Sequence, residues 1–169
     1  RHSTHFDPIG KHIDDGARTT FQGSFGLGLG DDGFLRAGFE YRDRDGTNRA
    51  GFDEVPFFED EANIPLVGGQ RNYKPGDSAT QDVNLWLNTE VALGELTGYG
   101  FATYSTRDAE GTGFFRYPVG SQNVPSVYPL GYRPVTLGDN EDISLSAGLR
   151  GDLGAWHLDG SVSWGRNTF

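Results

Sequence analysis

The stretch 141–169, EDISLSAGLRGDLGAWHLDGSVSWGRNTF, alternates apolar and polar residues for most of its length. Ile143, Leu145, Ala147 and Leu149 fall on one register, and Asp142, Ser144, Ser146, Gly148 and Arg150 on the other. A period of two is the signature of a β-strand with two different faces. After a corner at Gly151-Asp152-Leu153-Gly154 the alternation resumes, with Trp156, Leu158, Val162 and Trp164 against His157, Asp159, Ser161 and Ser163. Each arm runs about ten residues, whereas globular strands are usually about five or six and strands crossing a bilayer at a tilt need roughly nine to eleven. Trp156 and Trp164 share a register and would stand roughly 20 Å apart along the normal of a tilted strand, close to the height of the apolar band between two aromatic girdles.

The same pattern recurs upstream. From Thr19, Phe21, Phe25, Leu27 and Leu29 alternate with Thr20, Gln22, Ser24, Gly26 and Gly28, and Gly30-Asp31-Asp32-Gly33 supplies a turn. Leu35, Ala37, Phe39 and Tyr41 then oppose Arg36, Gly38, Glu40 and Arg42. A third strand is predicted over about 82–93, with Val83, Leu85, Leu87, Val91 and Leu93 on one face and Asp82, Asn84, Trp86, Asn88 and Glu90 on the other. After Gly94-Glu95 a fourth is predicted over 96–107, the weakest pattern of the set. It places Thr97, Tyr99, Phe101 and Thr103 outward and Gly98, Gly100, Ala102, Tyr104 and Thr106 inward. Ionic residues on the second face of a strand, such as Arg36, Glu40 and Arg42, suit a wet lumen better than a closed core.

Between these hairpins lie the Pro- and Gly-containing connections 45–81 and 108–141, the first carrying the acidic patch Glu59-Asp60-Glu61. Unstructured connections of about thirty residues are rare inside compact domains. Short and long connections alternate, as in a meandering barrel with tight turns on one rim and long loops on the other. The predicted fold is therefore all-β: an antiparallel meander of about six long strands over 17–169, part of a transmembrane β-barrel, preceded by a loop lead-in at 1–16. Leu27, Phe39, Leu85, Leu87, Leu145, Leu149, Leu158 and Val162 are the expected lipid-facing set. Six strands are fewer than the eight at which single-chain bacterial barrels begin to close, so the wall is expected to be incomplete.

Composition agrees. In 169 residues there are 26 glycines and 13% aromatics, no cysteine and no methionine. The mean hydropathy of −0.54 excludes a helical membrane protein. Without Met or a signal sequence at its start, the chain is expected to be processed or a fragment. A net charge of −10 without basic clusters argues against nucleic acid as a partner. No nucleophile–base set or phosphate loop is present, so no enzyme chemistry and no cofactor are expected. The run Gly26 to Gly30 continues a strand into a turn. His2, His5 and His12 with Asp7, Asp14 and Asp15 match no metal-site spacing, and Asp53-Glu54 reads as solvated loop charge.

Several phrases carry a resemblance. Phe114-Phe115-Arg116-Tyr117-Pro118, Val127-Tyr128-Pro129-Leu130-Gly131-Tyr132-Arg133-Pro134, Ile143 to Arg150 and Trp164-Gly165-Arg166-Asn167-Thr168-Phe169 resemble the barrel of TonB-dependent outer-membrane receptors, as do Gly33-Phe34-Leu35 and Thr47-Asn48-Arg49-Ala50. The resemblance implies an outer-membrane location and active uptake of a scarce nutrient of the siderophore, vitamin or oligosaccharide class. It implies as partners outer-membrane lipid and lipopolysaccharide, the remaining barrel strands, an N-terminal plug, and TonB acting through that plug. The chain departs from the family in showing no plug and no TonB-contacting segment. Ligand contacts are expected from loop aromatics and cations: Arg71, Tyr73, Arg116, Tyr117 and Tyr128. The alternative is a soluble all-β ligand-binding module of lectin-like sandwich type.

Overall fold

The computed structural model describes residues 3–53 and 69–169. Among the described residues eight strands form in chain order: β1 (Thr4–Phe6), β2 (Lys11–Ile13), β3 (Arg18–Leu29), β4 (Gly33–Arg44), β5 (Ala79–Leu93), β6 (Leu96–Thr112), β7 (Val135–Leu153) and β8 (Trp156–Thr168). No α-helix occurs among the described residues. Strands β3 to β8 make one six-stranded sheet in sequence order, an antiparallel meander, and β1 and β2 make a separate two-stranded sheet. The chain divides into two compact units. One comprises Arg1–Arg18, Arg44–Thr80 and Ala109–Leu137; the other comprises Thr19–Asp43, Gln81–Asp108 and Gly138–Phe169.

The tight connections are made by glycine. Gly94 and Gly154 open two-residue turns with φ of 70° and 63°, while no non-glycine residue described has a positive φ. That is the pattern of a type II′ hairpin, in which only the first turn residue needs the left-handed region. The last corner is therefore Gly154-Ala155, and Gly151 to Leu153 continue β7.

The register of the last hairpin follows its alternation. Leu145 pairs with Trp164, Ala147 with Val162, Gly151 with Leu158 and Leu153 with Trp156 on one face, and Ser146 with Ser163, Arg150 with Asp159 and Asp152 with His157 on the other. The burial is opposite to that of a soluble sheet. In β7, Leu145, Ala147 and Leu149 are exposed, whereas Ser144, Ser146, Gly148 and Arg150 are half-buried. All eight residues of the expected lipid-facing set are exposed, from Leu87 at 36% to Val162 at 73%. Ala50, outside this sheet, is the only buried hydrophobic residue among those described, so the apolar register has no dry core to converge on. Phe25, Phe39, Leu85, Leu87 and Leu145 instead line an open apolar hollow of about 660 Å³.

The polar register satisfies itself across strands. Asp82, only 3% exposed, accepts from Arg42 Nε at 3.2 Å and Arg107 Nε at 2.5 Å, one guanidinium from each neighbouring strand. Arg42 also lies 3.3 Å from Glu40, and Arg150 donates to Glu90 at 2.7 Å. Tyr99 donates to Asp159 at 2.5 Å beneath the guanidinium of Arg150. Ser146 and Ser163 share a hydrogen bond of 2.6 Å, and Asn167 donates to Asp142 at 2.8 Å.

Four expectations are corrected. The outward and inward faces of β6 are exchanged: Tyr99 and Arg107 join the polar register, while Ala102 and Tyr104 line the apolar hollow with Leu85 and Ile143. The cause is the two-residue turn Gly94-Glu95, which sets Leu96 opposite Leu93 and so puts the even residues of β6 on the apolar face; an added Cβ at Gly98 would accordingly stand 3.0 Å from Leu93 and 3.6 Å from Leu149. These neighbours fill the apolar face where β6 contributes only hydrogen. Second, the lead-in is not all loop. β1 and β2 pair Thr4 with Ile13 and Phe6 with Lys11 around a 3₁₀ turn, Asp7–Ile9, that ends at Gly10 with φ 60°. Third, β5 begins at Ala79, β6 runs to Thr112 and β7 begins at Val135, which shortens both long connections.

Finally, the described arms of those connections are zipped together rather than structureless. Thr47 N donates to Asp77 O, Arg49 N to Pro75 O and Asp53 N to Gln70 O, while Gly113 N donates to Pro134 O and Arg116 N to Tyr132 O. The predicted patch Glu59-Asp60-Glu61 lies outside the described residues.

Candidate functional site

All five candidate ligand residues belong to the unit built from the long connections. The structure brings two of them into direct contact. The hydroxyls of Tyr73 and Tyr117 hydrogen-bond to each other, with their rings edge-on at 6.4 Å, and Phe115 packs edge-on against Tyr117 at 5.3 Å. Behind this pair lies a buried polar node. Asp53 and Asn72 are each 7% exposed, and Asn72 Nδ2 donates to Asp53 Oδ2 at 3.1 Å. Tyr117 also hydrogen-bonds Asp53. Burial, the bond to Tyr73 and the nearby Asp53 charge push the Tyr117 phenol above the ordinary tyrosine range.

Asp53 is thus not the solvated charge expected of it, because an amide and a phenol far away in sequence replace its water; its neighbour Glu54 lies outside the described residues. The node fixes the Tyr73 ring, which lines a cleft of about 280 Å³ together with Lys74, Pro75, Thr112, Gly113 and Phe114. Phe114 is 78% exposed.

Arg71 serves the fold. Its Nε donates to Ala50 O at 3.0 Å and its Nη2 to Asn48 O at 2.7 Å, and the guanidinium stands over the Phe6 ring at 5.8 Å. Arg116 is bridged to Tyr132 through its backbone, and its side chain donates to Gln122. Tyr128 stacks on Tyr132 at 4.3 Å, and Asn123 Nδ2 ties together the carbonyls of Pro118 and Tyr128. Arg116 and Tyr128 organise the tip of the second connection, and neither is placed on the cleft beside Tyr73.

Near the start of the chain, Asp15 accepts from Asn48 N at 2.7 Å and from Arg49 Nη1 at 2.8 Å. Partial burial opposes its ionisation, but these hydrogen bonds and the Arg49 charge outweigh it and hold the carboxyl below its usual range. His5 and His12 meet edge-on at 5.2 Å, and His5 lies 3.3 Å from Asp7. No group of three or more His, Asp or Glu side chains able to hold a metal occurs among the described residues.

One element escaped the sequence reading. On the polar register of the sheet, an open hollow of about 520 Å³ is lined by Gln22, Ser24, Glu40, Asn84 and Trp86, with Gly23 and Phe39. Its only sequence signal was a tryptophan on the polar side of an alternating strand.

Compared with known proteins, the chain matches no family model, no curated sequence and no solved structure.

Proposed function

We propose that the chain forms part of the wall of an outer-membrane β-barrel. Within that class, the phrases around Phe114–Pro118, Val127–Pro134 and Trp164–Phe169 favour a TonB-dependent receptor that takes up a scarce nutrient. The observation that carries the reading is the burial of the six-stranded sheet: most of its leucines and phenylalanines are exposed, while Asp82 is buried and Glu90, Ser144, Ser146 and Arg150 on the opposite register are half-buried, with Arg150 bonded to Glu90 and Ser146 to Ser163. An exposed apolar face of this extent is a liability in water and the normal outer surface of a barrel in lipid. The strand lengths, 12 to 19 residues in this sheet, exceed the bilayer requirement of roughly nine to eleven.

β3 and β8 each have one neighbour in the strand order, and an edge left open in hydrocarbon costs several kcal/mol per unpaired backbone group. The wall is therefore completed by further strands, with a plug inside the full barrel and TonB driving uptake through it. On this reading the long connections lie outside the bilayer and recognise the nutrient.

Vesicle flotation tests the proposal. The refolded chain is expected to float with lipid vesicles and to need detergent to stay monodisperse. A monodisperse chain in plain buffer that stays with the aqueous fraction would contradict it and favour a soluble binding module.

A further inference from the structure

The hollow on the polar register of β3, β4 and β5 combines features that point to one ligand chemistry. Trp86 is 38% exposed, and its indole packs against Gly38: an added Cβ at that glycine would meet Cε2 and Cζ2 of the ring at 2.4 Å. The glycine thus leaves room for the indole close to the sheet, where the ring lines the hollow. Around it stand two carboxamides, Gln22 and Asn84, a hydroxyl, Ser24, and a carboxylate, Glu40.

Three ligand classes fit poorly. An anion would meet Glu40, and among the described residues no lysine or arginine lines the hollow. An organic cation would find Glu40 already offset by Arg42 at 3.3 Å. A wholly apolar ligand would strip water from four polar side chains and give them nothing back. A neutral pyranose ring carries both surfaces that are needed: an axial C–H face that packs on an indole, and an equatorial rim of hydroxyls that pairs with carboxamides and a carboxylate.

We infer that Trp86, with Gln22, Glu40 and Asn84, forms a subsite for one ring of a neutral saccharide on the polar face of the sheet. The inference rests on the proposed transport role in one respect: in a barrel this face lines the lumen, so the subsite would sit on the route of an oligosaccharide nutrient. Binding itself needs only the sheet.

The test uses the full chain in detergent, with Trp156 and Trp164 replaced by Phe so that Trp86 is the only tryptophan emitting. Maltoheptaose, cellohexaose and xylohexaose are titrated, with choline and inorganic phosphate as controls. At least one saccharide is expected to shift Trp86 emission saturably. In calorimetry, Trp86→Ala and Asn84→Ala should each weaken that saccharide by about tenfold or more. Gly38→Ala, which lifts the indole, should do the same. Circular dichroism identifies any variant that has lost its strands, and Asn84→Ala then decides in place of Trp86→Ala. No response to any saccharide, a response unchanged in these variants, or a response to choline or phosphate alone would overturn the subsite. Flotation of the same samples separates the two claims: chain that floats but binds no saccharide loses the subsite and keeps the wall.

Discussion

The six-stranded sheet and the unit built from the long connections distribute their polar groups in opposite ways. In the sheet, polarity is laid out as a face: Asp82 binds arginines on the two adjacent strands, Arg150–Glu90 and Tyr99–Asp159 each reach across one intervening strand, and hydrophobic side chains take the other face outward. In the connections, polarity is drawn inward: Asp53 and Asn72 are buried with Tyr117, while Phe114, Val119 and Val127 are more than 60% exposed. The sheet needs an apolar surrounding and supplies its own polar lining. Among the described residues the connections bury no hydrophobic side chain beyond Ala50, and a buried hydrogen-bond node together with zipped backbone arms stands in the place of a core.

The largest effect should come from reversing the faces of the sheet. In the completed barrel, Leu145→Arg is expected to cost about 2 to 4 kcal/mol of folding stability, and Ser146→Arg far less, measured by urea titration of the reconstituted barrel in vesicles. Equal costs would break the distinction between the two registers. Next comes the buried carboxylate shared between strands. Asp82→Ala leaves Arg107 without its carboxylate and Arg42 with Glu40 alone, and should cost about 2 kcal/mol in the same assay.

In the connections the corresponding change is smaller. Tyr117→Phe removes one hydroxyl from the node and should cost about 1 kcal/mol, visible as faster amide exchange at Asn72 and Tyr73. The raised pKa of Tyr117 means that its bonds stabilise the folded chain fully below about pH 10 and are lost as pH rises through the higher folded value. In an absorbance titration its phenol should ionise above the ordinary tyrosine range, and Tyr117→Phe should remove that step.

The smallest effect is expected at Asp15. Its carboxyl is depressed, so the clamp on Asn48 and Arg49 is complete above about pH 4 and is lost as pH falls through the lower folded value. Arg49 is 45% exposed, so salt should weaken the clamp. Asp15→Asn should flatten the acid limb of the stability curve slightly.

The sheet was legible where one register is uniformly large and apolar. In β7 and β8 every second residue names its face, so Leu145 and Trp164 fall on one face by alternation, while their pairing depends on the turn lying at Gly154-Ala155 and not at 151–154. It was illegible in β6, where Tyr99, Phe101 and Tyr104 put aromatics on both registers. There the decision belongs to the turn Gly94-Glu95, which sets Leu96 opposite Leu93, and not to the alternation within the strand. β1 and β2, at three residues each, are too short to show a period. Among the candidate ligand residues, the meeting of Tyr73 with Tyr117 depends on two connections coming together, and the role of Arg71 depends on the carbonyls of Asn48 and Ala50. The Trp86 hollow was hidden for a related reason: the indole has room because Gly38, on the next strand, has no side chain.

The registers carry their own reporters, since Trp156 and Trp164 lie on the apolar face and Trp86 on the polar one. Single-tryptophan variants reconstituted in vesicles of bromine-labelled lipid test the central claim most directly. Emission from Trp156 and Trp164 should be strongly quenched, each at its own bromine depth near an interface, and Trp86 should be spared. Quenching of Trp86 as strong as that of the other two, or no quenching of any, would contradict a lipid-facing apolar register.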